Sequence, residues 1–258
     1  MARIDKVPSL AACAIIPVYN HSAYLRTVVE QLLGVGLPVI LIDDGSTKDC
    51  HRLMQVLANE FEKVQLTSHP VNAGKGAAIK TGLRLAGEYG FAHALQVDAD
   101  GQHNLDDIPR FLDAMHREPT ALIAGYPEYD QSVPKHRYYG RYATHIWVWI
   151  NTLSTAIVDS MCGFRVYPVK ASIALLDNSR IGDRMDFDGE FIVRWFWRGW
   201  PLTQLRTRVI YPEQGTSHFR LVADNVLISR MHARLFFGML IRLPVLLYRK
   251  YTGRRQRP

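Results

Sequence analysis

Leu95-Gln96-Val97-Asp98-Ala99-Asp100-Gly101-Gln102-His103 decides how this chain is read. Residues 92–97 form a short apolar run that empties into Asp98, Asp100 and Gly101, where a strand ends and a loop begins. Alternate residues of an extended segment share a face, so the carboxylates of Asp98 and Asp100 can converge on one hard cation with oxygen ligands. A divalent metal holding a diphosphate is the natural occupant. Taken alone, the same acids also fit a solvated turn that stops the strand and caps a helix beginning near Leu105.

Working outward, residues 12–18 read as a buried strand, with Asn20 and Ser22 as cap candidates for an amphipathic helix that runs to about Leu33 and ends at Gly34 and Gly36. Residues 38–42 are the next apolar strand and deliver Asp43 and Asp44; residues 64–67 are another. A helix over about 76–88 precedes the strand that ends in Asp98, and a helix over about 105–116 leads to a strand at 121–125. This alternation predicts an α/β fold, a Rossmann-like three-layer sandwich whose mainly parallel sheet is covered on both faces. In such sheets ligands gather at the carboxyl ends of the strands. Pro17-Val18-Tyr19-Asn20, Asp43-Asp44-Gly45-Ser46, Asn72-Ala73-Gly74-Lys75-Gly76 and Asp98-Ala99-Asp100 all fall on that edge.

Each cluster has a use if the ligand is a nucleoside diphosphate sugar. Asp44 can accept hydrogen bonds from a base or ribose while Tyr19, or the backbone near Pro17, packs on the base. Gly74 and Gly76 permit close backbone approach, and Lys75 brings positive charge toward phosphate. The loop lacks the Walker pattern and the third glycine of a dinucleotide fingerprint, which argues against a P-loop enzyme and a nicotinamide dehydrogenase.

With 258 residues, 48% hydrophobic and 21% charged, the chain suits one large domain with its own core. Three scattered cysteines, Cys13, Cys50 and Cys162, make neither a disulfide framework nor a zinc site and suit a reducing cytoplasm. The start of the chain, with Asp5, Lys6 and Pro8, lacks the layout of a signal peptide. Net charge is +7, but eight Lys and Arg lie from Ile228 onward with no acid among them, leaving 23 basic against 24 acidic residues elsewhere. That distribution argues against nucleic acid and for an anionic surface met by the tail alone.

The ordered clusters resemble glycosyltransferase family 2, enzymes of the GT-A fold, and within it the dolichyl-phosphate and polyprenyl-phosphate mannose and glucose synthases. The residues that carry the likeness are Ile16-Pro17-Val18-Tyr19-Asn20, Asp43-Asp44-Gly45-Ser46, Asn72-Ala73-Gly74-Lys75-Gly76, Asp98-Ala99-Asp100-Gly101-Gln102-His103 and, more weakly, Cys162-Gly163-Phe164-Arg165. The resemblance implies a metal-dependent, inverting transfer of a sugar from a GDP- or UDP-linked donor to a lipid-linked acceptor such as a polyprenyl phosphate or glycolipid. It implies that Pro17, Tyr19, Asn20, Asp43, Asp44 and Lys75 receive the nucleotide, and that Asp98, Ala99 and Asp100 lie against the diphosphate. Asp98, Asp100 and Gln102 would hold Mg²⁺ or Mn²⁺.

Beyond residue 125 the chain departs further from the family. Lys135, Arg137 and Arg141 are candidates for binding an acceptor phosphate or the departing diphosphate, because guanidinium pairs bidentately with such oxygens, and a solvated basic loop is the competing reading. Asp188 or Glu190 could act as base toward a hydroxyl acceptor, or both could cap the helix that follows. In the 214–220 loop His218 stands where a lysine is expected, and Arg220 is its substitute.

The tail reads as a second unit, 228–258, after a catalytic 1–227. Its longest unbroken apolar run, 235–241, is too short to span a bilayer, which takes about 20 residues. On a helical wheel Arg230, Arg234, Arg242 and Arg249 share an arc of about 120°, with Leu, Phe and Met elsewhere. A basic face, an apolar face and the closing Arg254-Arg255-Gln256-Arg257 predict an interfacial helix on the inner, anionic face of the cytoplasmic membrane. A helix docked on the protein's own core, or an oligomer contact, are the competing readings. Two other functions fit parts of the pattern: a sugar-1-phosphate nucleotidyltransferase, which would carry a Gly-rich loop where Pro17-Val18-Tyr19-Asn20 stands, and a non-catalytic, membrane-adsorbed nucleotide-binding protein.

Overall fold

The structure is a computed structural model that describes residues 11–128, 135–208 and 221–252, with backbone only for 135–143 and Leu221. Seven strands make one sheet: β1 (Ala12–Val18), β2 (Val39–Asp43), β3 (Val64–Ser68), β4 (His93–Gln96), β5 (Leu122–Glu128), β6 (Arg165–Pro168) and β7 (Leu202–Arg208), in the order β3-β2-β1-β4-β6-β5-β7. The pairs β1–β2, β2–β3, β1–β4 and β5–β7 are parallel, while β6 runs antiparallel between β4 and β5.

Alternation along β1 divides the core in two. Cys13 and Ile15 point to the face covered by α3 (Lys75–Glu88), α6 (Val169–Asp177) and α7 (Phe187–Arg198); Ala14, Ile16 and Val18 point to the face covered by α1 (Leu25–Gly34), α2 (Lys48–Glu60) and α4 (Ile108–Arg117). The two faces account for the strand pattern read from the sequence. Helix α2 was not legible there, because only Cys50, Met54 and Leu57 of its 13 residues are buried, a narrow stripe in a polar segment.

Helix α5 (Lys135–Thr152) and helix α8 (Leu221–Thr252) pack on α7 and on each other. Helix α8 is continuous over 32 residues and contains Pro244, so the expected boundary at 228 falls inside it. By length and composition it is apolar enough to cross a membrane, although its longest apolar run is short. It packs on the body through Met231, Leu235, Met239 and Leu246, which are buried.

Of the arginine stripe of α8, Arg230, Arg234 and Arg242 are exposed, and three of the four also reach back to α7. Arg234 pairs with Glu190 and lies 3.8 Å from Asp186, Arg242 sits 4.7 Å over the Trp197 ring, and the Arg249 guanidinium donates to the Trp197 carbonyl. Two carboxylates, an indole face and the end of a helix all attract cations, and α7 presents all of them on one side. The outward side of α8 carries many apolar residues beside the exposed Arg230 and Arg234: Phe237 is 65% exposed and Ile241 79%, with Val226, Leu240, Val245, Tyr248 and Tyr251 also exposed.

Candidate active site

The loops after β1 and β2 lock together. Asn20, in a left-handed conformation (φ 55°), accepts from the Thr47 amide at 2.7 Å, and its own amide donates to Ser46 Oγ at 3.1 Å. Asp43 closes its own turn, accepting from the Ser46 amide and from His51 Nδ1. Asp44, only 2% exposed, accepts from four donors at 2.8–2.9 Å: His69 Nδ1, Asn72 Nδ2 and the amides of Ala73 and Gly74. Its carboxylate is thus the anchor of the glycine loop that opens α3. Pro17 and Tyr19 flank this junction at the end of β1, both half-buried.

Gly74 has φ 109°, a backbone conformation L side chains rarely adopt, and a Cβ there would strike the Asp183 carbonyl. The first turn of α3 lies directly on the 181–187 segment. The Ala77 amide donates to Asp183 O at 2.9 Å, and Lys80 reaches the Asp183 carboxylate at 2.7 Å. That packing brings Lys75 between two acids distant in sequence. Its Nζ lies 2.8 Å from Asp98 Oδ2 and 3.3 Å from Asp188 Oδ2. Burial works against the charge on Lys75, but Asp188 and Asp98 outweigh it and hold the ammonium above the usual lysine range. Burial likewise opposes ionisation of Asp98, and Lys75 with His103 overcomes it, holding this carboxyl well below the usual range.

Asp98 has further neighbours. His103 Nε2 stands 3.3 Å away, its ring stacked on Phe164, and Gln96 donates to Asp98 Oδ1 at 3.4 Å while accepting from the buried Tyr167 hydroxyl at 2.8 Å. Ala99 is buried, and Asp100 accepts from the Gln102 amide at 3.0 Å. Gly163 forms one wall. A Cβ there would lie 2.7–2.8 Å from Gln96 Nε2, Asp98 Oδ2 and Lys75 Nζ.

Asp188 and Glu190 part company. Two residues of a helix are about 200° apart around its axis, so the two side chains leave α7 on opposite sides. Asp188 turns to Lys75, whereas Glu190, fully buried, accepts from the Gly182 amide and pairs with Arg194 and Arg234. The fully buried Arg165 donates to the carbonyls of Ser160, Cys162 and Asp188, each at 2.8 Å, tying the strand after Gly163 to the first turn of α7. Arg165 and Gly163 were visible in the sequence only as parts of the weaker Cys162-Gly163-Phe164-Arg165 motif. Lys135, Arg137 and Arg141 fall in the first turns of α5, where only backbone is described; His218 and Arg220 lie outside the described residues.

The donor set is suited to a hard cation. Asp98 and Asp100 offer carboxylate oxygens, Gln102 an amide oxygen, and Asp188 Oδ1 is buried with no hydrogen-bond partner among the described residues. No three Asp, Glu, His or Cys side chains among those residues form a metal-holding group as they stand.

A seven-stranded mixed sheet with acids and a glycine loop at its carboxyl edge is the architecture of a GT-A glycosyltransferase. The chain belongs to glycosyl transferase family 2, whose family model matches residues 13–172. It is 32% identical over 124 residues to UDP-N-acetylglucosamine–dolichyl-phosphate N-acetylglucosaminyltransferase of Methanococcus voltae, covering 43% of this chain and 49% of that protein. It is 26% identical over 207 residues to a dolichyl-phosphate beta-glucosyltransferase of Trichomonas vaginalis, covering 72% of this chain and 62% of the relative. The fold is similar to that of glucosyl-3-phosphoglycerate synthase from Mycobacterium tuberculosis, solved with Mn²⁺, UDP-glucose and phosphoglyceric acid. The TM-score is 0.64 at 14% identity, over 89% of this chain and 79% of that one. The protein is a glycosyltransferase.

Proposed function

We propose that this enzyme moves a sugar from a GDP- or UDP-linked donor to a lipid-linked acceptor, working at the inner face of the cytoplasmic membrane with α8 lying in the interface. One observation carries the reading. Helix α8, which turns an apolar face outward, is keyed through Arg234 to Asp186 and Glu190, the residues on either side of Asp188. A membrane-facing surface and an active-site acid are thereby held in one unit. The dolichyl-phosphate specificity in the names of two relatives points the same way. The apolar side of α8, rather than its arginines, is what enters the interface.

The nucleoside end of the donor meets the loops that Asn20, Asp43 and Asp44 tie together, beside Pro17 and Tyr19. Its diphosphate approaches the amino end of α3, where backbone amides and the helix dipole favour negative charge. Lys75 can then exchange its carboxylate partners for phosphate oxygens. Asp98, Asp100 and Gln102, with Ala99 between the two acids, would hold Mg²⁺ or Mn²⁺, which would supply a Lewis acid for the charge that develops on the leaving diphosphate. Asp188 fixes Lys75 and, for a hydroxyl acceptor, is placed to take the proton; a phosphate acceptor is already ionised and needs no base. Arg137 and Arg141, one turn apart on α5, are assigned to an acceptor phosphate. Glu190, buried in its ion pairs, is assigned to structure, which replaces the expectation of a base there.

The test is a panel of nucleotide sugars with Mn²⁺ and a membrane lipid extract, read for released nucleoside diphosphate and for a mass-shifted lipid. Both products should appear with wild type and vanish with EDTA and with Asp100→Asn, while that variant keeps its fold. Wild-type turnover by Asp100→Asn would remove the metal assignment, and diphosphate release without a modified lipid would remove the acceptor.

A further inference from the structure

A second cavity, of about 760 Å³, opens between the carboxyl-terminal ends of α5, α7 and α8. Its size is in the range of about 300–1,000 Å³ typical of small-molecule sites. Trp149, Ile150, Phe196, Trp200 and Leu246 furnish apolar walls, Arg249 and Lys250 stand at one side, and no acidic residue among the described residues lines it. The Trp149 indole donates to Ile157 O at 2.9 Å. Leu153, which follows α5 and lines the cavity, sits at φ 52°, a left-handed conformation that leucine rarely adopts. The cavity is separate from the active site. Asp188 is in the first turn of α7 and Gly199 follows its last, about 16 Å away at 1.5 Å per residue.

We propose that this cavity binds the acyl chain of an anionic membrane phospholipid, with the headgroup on Arg249 and Lys250. The inference rests on the membrane reading of α8 given above. The chemistry separates a phospholipid from the distal chain of a lipid-linked acceptor. A hydrocarbon passing through on its way from the active site has no use for two cations, whereas a lipid bound whole presents an anion at the end of its tail. Ile146 and Ile150, at the rim and both well exposed, continue the apolar surface from the exposed Trp147 on the same helix.

The experiment uses the full chain in mild detergent with dioleoyl phosphatidylglycerol or dioleoyl phosphatidylcholine, bound lipid being counted by native mass spectrometry. One phosphatidylglycerol per chain should be retained, at least 10-fold more tightly than phosphatidylcholine. Ala156→Trp, which fills the cavity from its exposed edge, and Lys250→Glu, which reverses one charge without filling it, should each weaken retention at least 10-fold. Circular dichroism and glycosyl transfer in detergent should be unchanged in both. Equal retention of the two lipids, or by Lys250→Glu and wild type, overturns the proposal. So does displacement of phosphatidylglycerol by a polyprenyl phosphate, which gives the cavity to the acceptor, and so does a dimer that Ala156→Trp dissolves. Flotation with anionic vesicles separates this outcome from the membrane reading: a protein that retains the lipid in detergent but fails to float refutes the latter and leaves the cavity assigned.

Discussion

The Lys75 ammonium lies 2.8 Å from the Asp98 carboxylate, joining the first residue of α3 to the loop after β4 through a charge pair only about one-fifth exposed on either side. With Asp188 at 3.3 Å on its other flank, Lys75 holds the place of a cation between two acids.

Lys75→Met should therefore leave two carboxylates facing each other without compensation. Breaking a buried pair costs about 3–5 kcal/mol, and with the partial exposure here about 1–3 kcal/mol is expected. Millimolar Mn²⁺ should restore much of the lost thermal stability to the variant while shifting wild type less. Sugar transfer should stay low, since the proposed phosphate contact would be gone. An unchanged melting temperature without metal would show that the pair contributes nothing.

Gly163→Ala tests the wall of the site. The added methyl would press on Gln96, Asp98 and Lys75 at once, and displacements near 1 Å can cost about 100-fold in rate. A fall in kcat/KM of about 10-fold or more is expected, together with near-normal circular dichroism. Full activity would mean that the three side chains move aside freely.

His232 gives the pH dependence a definite sign. It is 4% exposed, stacked on Trp147, and its Nδ1 accepts weakly from Asn151 at 3.4 Å; burial pushes its pKa down to about 4. An unfolded histidine titrates near 6.5, so between pH 6.5 and 4 the unfolded chain binds more protons. This contribution to stability is whole above pH 6.5 and declines as pH falls, by roughly 3 kcal/mol across the window. Urea unfolding at pH 7 and at pH 4.5 should show a smaller loss for His232→Phe than for wild type. Parallel losses in the two proteins would rule out His232 as a source of acid sensitivity.

Phe237→Asp with Ile241→Asp addresses the outward face of α8. Both positions are exposed, so folding stability should change by only about 0.5 kcal/mol. Flotation with anionic liposomes should be lost. Retained flotation would direct attention to the arginines at the end of the chain.

The parts of the fold legible in the sequence were those with strong, local signals. Strands β1, β2 and β4 are apolar runs, β2 and β4 leading into acids and β1 into Tyr19 and Asn20, and the residues that follow them meet at one edge because parallel strands all finish on the same side. Asp188 was legible as a candidate, but not its meeting with Lys75. That meeting depends on Asp183 and Phe187 packing against Gly74 and Gly76, contacts across more than a hundred residues. Strand β6 has only four residues and no alternation to mark it. Helix α8 teaches a different point. A helical wheel correctly groups Arg234, Arg242 and Arg249, but it cannot say what the group faces, and here it is the acids and tryptophan of α7. Asp44 is similar: the motif marks the position, while four donors from residues 69–74 reveal that the carboxylate organises a loop.

Strand β6, antiparallel between β4 and β5, has a consequence for synthesis. A nascent chain can assemble β1 to β4 by about residue 96, but β4 then presents a bare edge until residues 165–168 leave the ribosome. Unpaired edges of this kind recruit other chains. Lys75 and Asp98 can meet early, but Asp188 can join them only after residues 165–168, which cover that edge, have been made.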